Sequence, residues 1–172
     1  MRCFIYKEGL ARFATEEYHS PMGSNLNNLC MHLTNYAINK EADGFIQNQN
    51  EAQDDVGHKR SLTSILNYID RHRETAEDKS SDEIWDDIKQ ICVKTIMAGI
   101  HPIAHLYRSS KPQDVENSLC FQILGIDIFL DNQCKSWLIE VNQTPSFCTD
   151  SPLDYSVKKN LLRDTLHILN LT

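Results

Sequence analysis

The 172-residue chain predicts an α+β fold, a mostly antiparallel sheet flanked by helices. Three observations carry that expectation. Apolar and polar residues alternate over 124–130 and again over 137–142, on either side of the turn-forming stretch "DNQCKS", which is the pattern of a β-hairpin. Ile84, Ile88, Ile91, Cys92, Ile96, Ile100 and Ile103 recur at three- and four-residue steps, the buried stripe of a long helix. The segments run strands, helices, strands, helix, with no internal repeat and no regular alternation of strand and helix that would build a parallel sheet.

Element by element, "RCFIYK" at 2–7 reads as a strand, and Gly9 as the turn of a hairpin whose second arm carries Arg12. "HSPMGSNLNN" is dense in turn formers, and a strand is expected near 30–34. From Glu41 to Gly57 the chain is rich in Asn, Gln and Asp, the composition of a mobile loop. Leu62, Ile65, Leu66 and Ile69 then fall on one face of a helix for which Ser61 is the N-cap. The long helix follows, capped by Ser81 or Asp82 and kinked or ended by Pro102. A last helix starts with Ser151 as N-cap and Pro152 in its first turn.

Composition excludes several functions. A hydrophobic fraction of 41% and a charged fraction of 24% belong to a globular, soluble domain of this length, with no bilayer-spanning run and no signal-peptide core. The formal charge of −7 argues against a general nucleic-acid binder, so an anionic partner must meet local basic groups such as "HKR" at 58–60, "RHR" at 71–73 or Lys158 and Lys159. Six scattered cysteines without a C-x-x-C fit reduced thiols in a cytosolic protein.

The chemistry concentrates in "LGIDIFLDNQCKSWLIEVNQTPSF". With a turn around Gln133 and Cys134, Asp127 stands across from Glu140 and Gly125 across from Asn142, leaving open space over Asn142. Leu138 would share the face of Glu140, and Trp137 the opposite one. Directly opposed residues have Cβ atoms roughly 4.5–5.5 Å apart, and like charges so placed repel. A divalent cation would relieve this, and two carboxylates plus an amide oxygen suit Mg²⁺ better than Zn²⁺. The residues alone leave a second reading open, a hairpin with one wet face.

"LGIDIFLD…SWLIEVNQTPSF.TDSPLD", "YKEGLARFAT" and "HLTNYAINK" resemble, in order, three blocks of the tubulin tyrosine ligase-like family of the ATP-grasp superfamily, and within it most resemble the polyglutamylases. The resemblance implies an ATP-grasp C-terminal lobe, residues 1–172 being a partial ligase domain whose N-terminal half is missing. Alone it should bind Mg·ATP weakly and turn over little. The implied reaction is ATP-dependent addition of free L-glutamate to glutamate side chains of tubulin's acidic tails through an acyl phosphate. Alternatives are a ligase for glycine or tyrosine, or a catalytically silent microtubule-binding module. ATP and Mg²⁺ are the implied cofactors, and tubulin and microtubules the partners. Nucleic acid and membrane are not expected as partners. The expected state is a monomer in the cytoplasm, on the cytoskeleton, at the cilium or basal body.

Residue by residue, the resemblance makes Asp127, Glu140 and Asn142 the magnesium ligands and gives Arg12 the incoming amino acid, whose carboxylate a guanidinium fork binds bidentately. Arg12 and Glu140 would be the catalytic residues. Thr34 and Asn35 match nucleotide-contacting positions, Tyr36 borders the amino-acid site, and Lys59 resembles a basic residue near it. Arg2 could reach a phosphate. His101 and His105, four apart, read as structural, because Pro102 lies between them and no third ligand is near.

Overall fold

The computed structural model describes residues 2–75, 77–116 and 119–171. Its elements in order are β1 (Leu10–Arg12), α1 (Leu29–His32), α2 (Tyr36–Asn39), β2 (Lys59–Ser61), α3 (Leu62–Arg71), α4 (Ser81–Ser110), β3 (Gly125–Leu130), β4 (Ser136–Asn142) and α5 (Pro152–Ile168). They mix helix with two small antiparallel sheets, β1 with β2 and β3 with β4. The chain divides into two compact units, Met1–Ile5 with Ile69–Ser146, and Tyr6–Tyr68 with Phe147–Thr172.

The first unit is built on α4 and the β3–β4 hairpin. The expected stripe is buried only in the first half of α4, with Ile84 0% and Cys92 8% exposed; Ile88, Ile91, Ile96 and Ile100 are half-buried, and Ile103 is 53% exposed. The cap of α4 is Ser80, one residue before the expected position. Its hydroxyl accepts from Glu83 N at 3.3 Å, and Glu83 Oε2 accepts from Ser80 N at 2.8 Å. This reciprocal box satisfies two backbone donors that a helix start otherwise leaves open. Pro102 does not end the helix, which continues to Ser110. Pro102 is exposed and gives up a single backbone donor, while apolar residues run on either side of it.

In the second unit β1 pairs with β2 in the register Leu10↔Ser61, Ala11↔Arg60, Arg12↔Lys59. The hairpin expected between 2–7 and Arg12 does not form. Residues 2–7 lie outside any strand, and the pairing edge of β1 is taken by β2. The chain bends at Lys7, and the carboxylate of the next residue, Glu8, accepts from Gly9 N at 2.8 Å and from Thr63 N and Oγ1 at 3.1 and 2.6 Å. Ser61 ends β2 and caps α3, accepting from Ser64 N at 2.9 Å. Ser151 caps α5 as expected, accepting from Asp154 N at 3.2 Å, with Pro152 in the first turn and Leu153 3% exposed.

The strand expected near 30–34 is instead α1, a bend and α2. Asn39, 1% exposed, holds the segment in this form through four side-chain bonds, two of them to the backbone carbonyls of Leu33 and Asn35. Its Oδ1 accepts from Thr15 N at 2.9 Å and from the Thr15 hydroxyl; its Nδ2 donates to Leu33 O at 2.7 Å and Asn35 O at 3.1 Å. The stretch 41–57 is irregular, as its composition predicts, yet pinned. Asn48 is 2% exposed and donates to Gln53 O at 2.7 Å. His58 N donates to Ile46 O at 2.9 Å, and Ile46 N donates to His58 Nδ1 at 2.9 Å. Gly57, at φ +90°, sits where a Cβ would come within 2.7 Å of Ile46 O.

Two expectations about stability follow. Ile84→Ala should lower the unfolding free energy by about 2–5 kcal/mol in a urea titration of the chain, because a fully buried side chain leaves a cavity. Ser80→Ala should cost about 1 kcal/mol and flatten the acid side of the stability profile. Hydrogen bonds from Ser80 N and Oγ hold the Glu83 carboxyl below its ordinary range. A carboxyl lowered in the folded state adds stability that is complete above its unfolded value, about 4.3, and is lost as pH falls through the folded one. Thermal melts between neutral and acid pH on both proteins measure the difference.

Candidate functional site

In the first unit, the β3–β4 ladder sets Gly125 against Asn142 and Asp127 against Glu140, the pairing expected. Asn142 Nδ2 donates to Glu140 Oε1 at 3.1 Å, so the amide and the carboxylate two residues apart lie on one side of β4. Asp127 and Asn142 are half-buried and Glu140 is exposed.

The route to this register differs from the one expected. The hairpin closes through Asp131 N to Lys135 O at 3.1 Å and Cys134 N to Asp131 O at 2.9 Å, with Cys134 at φ 55°, a three-residue loop ending in a left-handed residue. From there Leu130 faces Ser136, Phe129 faces Trp137 and Ile128 faces Leu138. Continued unbroken, that ladder would oppose Asp127 to Ile139 and send Glu140 to the other face. A bulge between Asp127 and Ile128 leaves Ile139 over and restores the opposition of the two carboxylates. It also exchanges two side chains. Trp137, paired with Phe129, lies on the Asp127 face, and Leu138, paired with Ile128, lies on the opposite one. Nor is the space over Asn142 open: a Cβ at Gly125 would lie 3.0 Å from Pro145 Cβ and 3.5 Å from Asn142 Cβ, so glycine admits Pro145 to the end of the hairpin.

Asp131 locks the turn. Its Oδ1 accepts from Gln133 N and Lys135 N at 2.9 Å, and its Oδ2 accepts from Trp137 Nε1 at 2.9 Å. The indole bond, followed by the backbone donors, holds the Asp131 carboxyl below its ordinary range.

The second unit gathers the residues expected to meet the amino acid. Arg12 and Lys59 are direct partners across β1–β2, so two cationic side chains leave the same face of the ribbon. Lys59 Nζ lies 4.5 Å from the centre of the Tyr36 ring, which packs edge-on against Phe45 at 5.8 Å, and Phe45 stacks on His58 at 5.5 Å. Thr34 and Asn35 are exposed just before α2, their backbone fixed by Asn39, and Asn35 spends no side-chain bond on capping.

Sequence reasoning missed Asp154. It is 0% exposed, and its Oδ1 and Oδ2 accept from Lys59 Nζ at 3.1 and 2.8 Å, while Ser151 Oγ donates to Oδ2 at 3.1 Å. Lys158 Nζ stands 3.9 Å from Oδ1 and donates to Cys148 O. The only hint was an acid in the first turn of a capped helix, which has an ordinary explanation in the helix dipole. Asn39, inside "HLTNYAINK", was missed for a like reason, since nothing in its neighbours announces burial.

Beside the lysine–aspartate pair lies a cavity of about 10 Å³, lined by Tyr36, Phe45, Asn48, Lys59, Ser151 and Asp154. It has room for about one water and none for an amino acid. A wider cleft of about 320 Å³ carries Glu8, Glu51 and Asp54, whose carboxylates accept from Thr63, Ser156 and Ser61. Its charge is unsuited to phosphate. His101 and His105 are exposed on α4, and no cluster of three His, Cys, Asp or Glu that could hold a metal occurs among the described residues. The described residues also contain no helix long and apolar enough to cross a membrane, and all six cysteines are free thiols.

The model of the tubulin-tyrosine ligase family matches residues 1–172. A probable beta-tubulin polyglutamylase of Tetrahymena thermophila is 48% identical over 174 residues, covering 100% of this chain and 14% of that protein. Human tubulin polyglutamylase TTLL6 is 45% identical over 171 residues, 99% of this chain and 18% of the relative. Tubulin polyglutamylase TTLL7 of Xenopus tropicalis is 39% identical over 173 residues, again 99% and 18%. The chain thus spans less than a fifth of the length of these relatives. The family implies an ATP-grasp-like fold, and with its model matched from end to end the chain belongs to the tubulin-tyrosine ligase family.

Proposed function

We propose that this chain forms the C-terminal catalytic lobe of an ATP-grasp ligase that adds glutamate to glutamate side chains in the acidic tails of tubulin. The observation that carries the reading is the opposition of Asp127 and Glu140 across a bulged ladder, with the Asn142 amide bonded to Glu140. Polyglutamylase relatives at 39–48% identity support the choice of reaction.

The donor set fits Mg²⁺. Asn142 spends its amide nitrogen on Glu140, which turns its carbonyl oxygen into the third hard donor beside two carboxylates. Asp127, Glu140 and Asn142 would hold the ion, which when bound neutralises negative charge on nucleotide phosphate oxygens. Thr34 and Asn35 would contact the nucleotide, the role their resemblance to the family implies. Arg12 pairs with the carboxylate of the incoming amino acid. Lys59 adds a second cation, and Tyr36 walls the same face. Two cations on one face favour an acidic amino acid over glycine or tyrosine. Such a ligase works on the cytoskeleton, at cytoplasmic or ciliary microtubules.

The test supplies the full-length parent protein with tubulin, ATP, Mg²⁺ and labelled glutamate, glycine or tyrosine. Glutamate should be incorporated in preference to the other two. Glu140→Gln should cut that rate by roughly 100-fold or more, the scale at which metal sites respond to altered ligation, and should weaken Mg²⁺ binding measured by calorimetry. Equal modification of tubulin by wild type and Glu140→Gln would overturn the metal assignment. Preferred incorporation of glycine or tyrosine would overturn the glutamate assignment.

A further inference from the structure

Asp154 has no part in the reading above, yet its burial and its partners give it one. We propose that Asp154 is a positioning residue for the amino-acid site: it holds the Lys59 ammonium beside Arg12 and against the Tyr36 ring, and so sets the affinity for the incoming glutamate. The proposal rests on the amino-acid-ligase reading.

A lysine carries its charge on a flexible four-carbon stem, and in water its ammonium samples many positions. Here both carboxylate oxygens of Asp154 grip Nζ, at 2.8 and 3.1 Å, and the side chain of Lys59 is 13% exposed. Asp154 cannot itself move. It lies in the first turn of α5, with Ser151 donating to Oδ2 and its own backbone N bonded to Ser151 Oγ. Oδ2 therefore receives Ser151 and Lys59 together, and Oδ1 faces Lys59 with Lys158 further off at 3.9 Å.

The carboxylate does a second thing. Arg12 and Lys59 are opposed on the ladder, and two like charges there would drive their side chains apart. A buried anion under one of them lowers that repulsion, so both can stay on the ribbon face. Asp154 is 0% exposed, and the cavity it shares with Tyr36 and Lys59 holds about 10 Å³, too small for an amino acid, so substrate meets the exposed side of Lys59 and never Asp154. That is the difference between positioning and direct binding.

The test measures, in the full-length parent protein, kcat and KM for glutamate and for ATP, together with thermal melts, in Asp154→Asn, Lys59→Met and the double variant Asp154→Asn/Lys59→Met. Positioning predicts a rise in KM for glutamate of roughly tenfold or more, as for other orienting partners, with KM for ATP within twofold of wild type. It also predicts non-additivity: the double variant should match Lys59→Met, because Asp154 acts through that lysine. Asp154→Asn strands a buried ammonium and can fail to fold, so Asp154→Glu, which keeps the charge and carries the carboxylate one methylene further, serves as the second probe. With Lys59 still present and paired, this variant should fold and still show the raised KM for glutamate. Wild-type KM for glutamate in either folded variant, with only the melting temperature lowered, would show a structural role and overturn the proposal. A wild-type protein that ligates no amino acid would instead overturn the ligase reading and this assignment with it.

Discussion

Like charges held face to face across a two-stranded ladder are the constraint on which both clusters depend. A strand pair does not choose such an arrangement for stability, since each opposed pair of like charges weakens it. It is nevertheless imposed in each unit, Asp127 against Glu140 in one and Arg12 against Lys59 in the other. Opposition is a property of register, and a slip of one residue would turn one partner to the far face. Whatever fixes register therefore fixes the chemistry.

The devices that fix it are different in the two units. In the hairpin the turn and the bulge act in opposition. The three-residue loop, closed on Asp131 and ending with Cys134 at φ 55°, sets a ladder that would separate the carboxylates, and the extra residue Ile139 brings them back. Bulges beside sites re-aim side chains in this way. In the second unit there is no tight turn between the paired strands. The ribbon is held from its ends, by Leu62 N on Gly9 O at 2.9 Å and Phe13 N on His58 O at 2.9 Å. Glu8 and Asn39 then fasten the neighbouring segments through bonds to side chains and backbone remote in sequence.

What could be read from the sequence was whatever is written in local period and capping. The stripe of α4, the caps Ser61 and Ser151, and the opposition of Asp127 to Glu140 all follow from spacings of a few residues. The opposition was reached for an incomplete reason, however. A simple turn about Gln133 and Cys134 gives the right partners for Asp127 and the wrong faces for Trp137 and Leu138, because a bulge leaves no mark in the alternation of so short a strand. Residues 2–7 look like a strand by composition, and β propensity does not say whether an edge is available to pair with. Where a strand was expected near 30–34, the segment is held in helical form by Asn39, whose four bonds depend on chain segments up to 24 residues away. Asp154 was invisible for the same reason, its partner Lys59 lying 95 residues earlier.

That long-range pair also bears on which amino acid the proposed site would accept. Burying an aspartate and a lysine together brings little net stability, because the desolvation of both charges offsets their attraction. A packed pair of apolar side chains would join β2 to α5 at least as well. What apolar side chains cannot supply is a second cation facing the same way as Arg12. Glycine and tyrosine bring one carboxylate to such a face, for Arg12, and nothing to the exposed side of Lys59, whose inner side Asp154 already pairs. Glutamate brings two. On the ligase reading proposed above, the ion pair beneath Lys59 serves to position a cation for a dicarboxylic amino acid rather than to brace the fold.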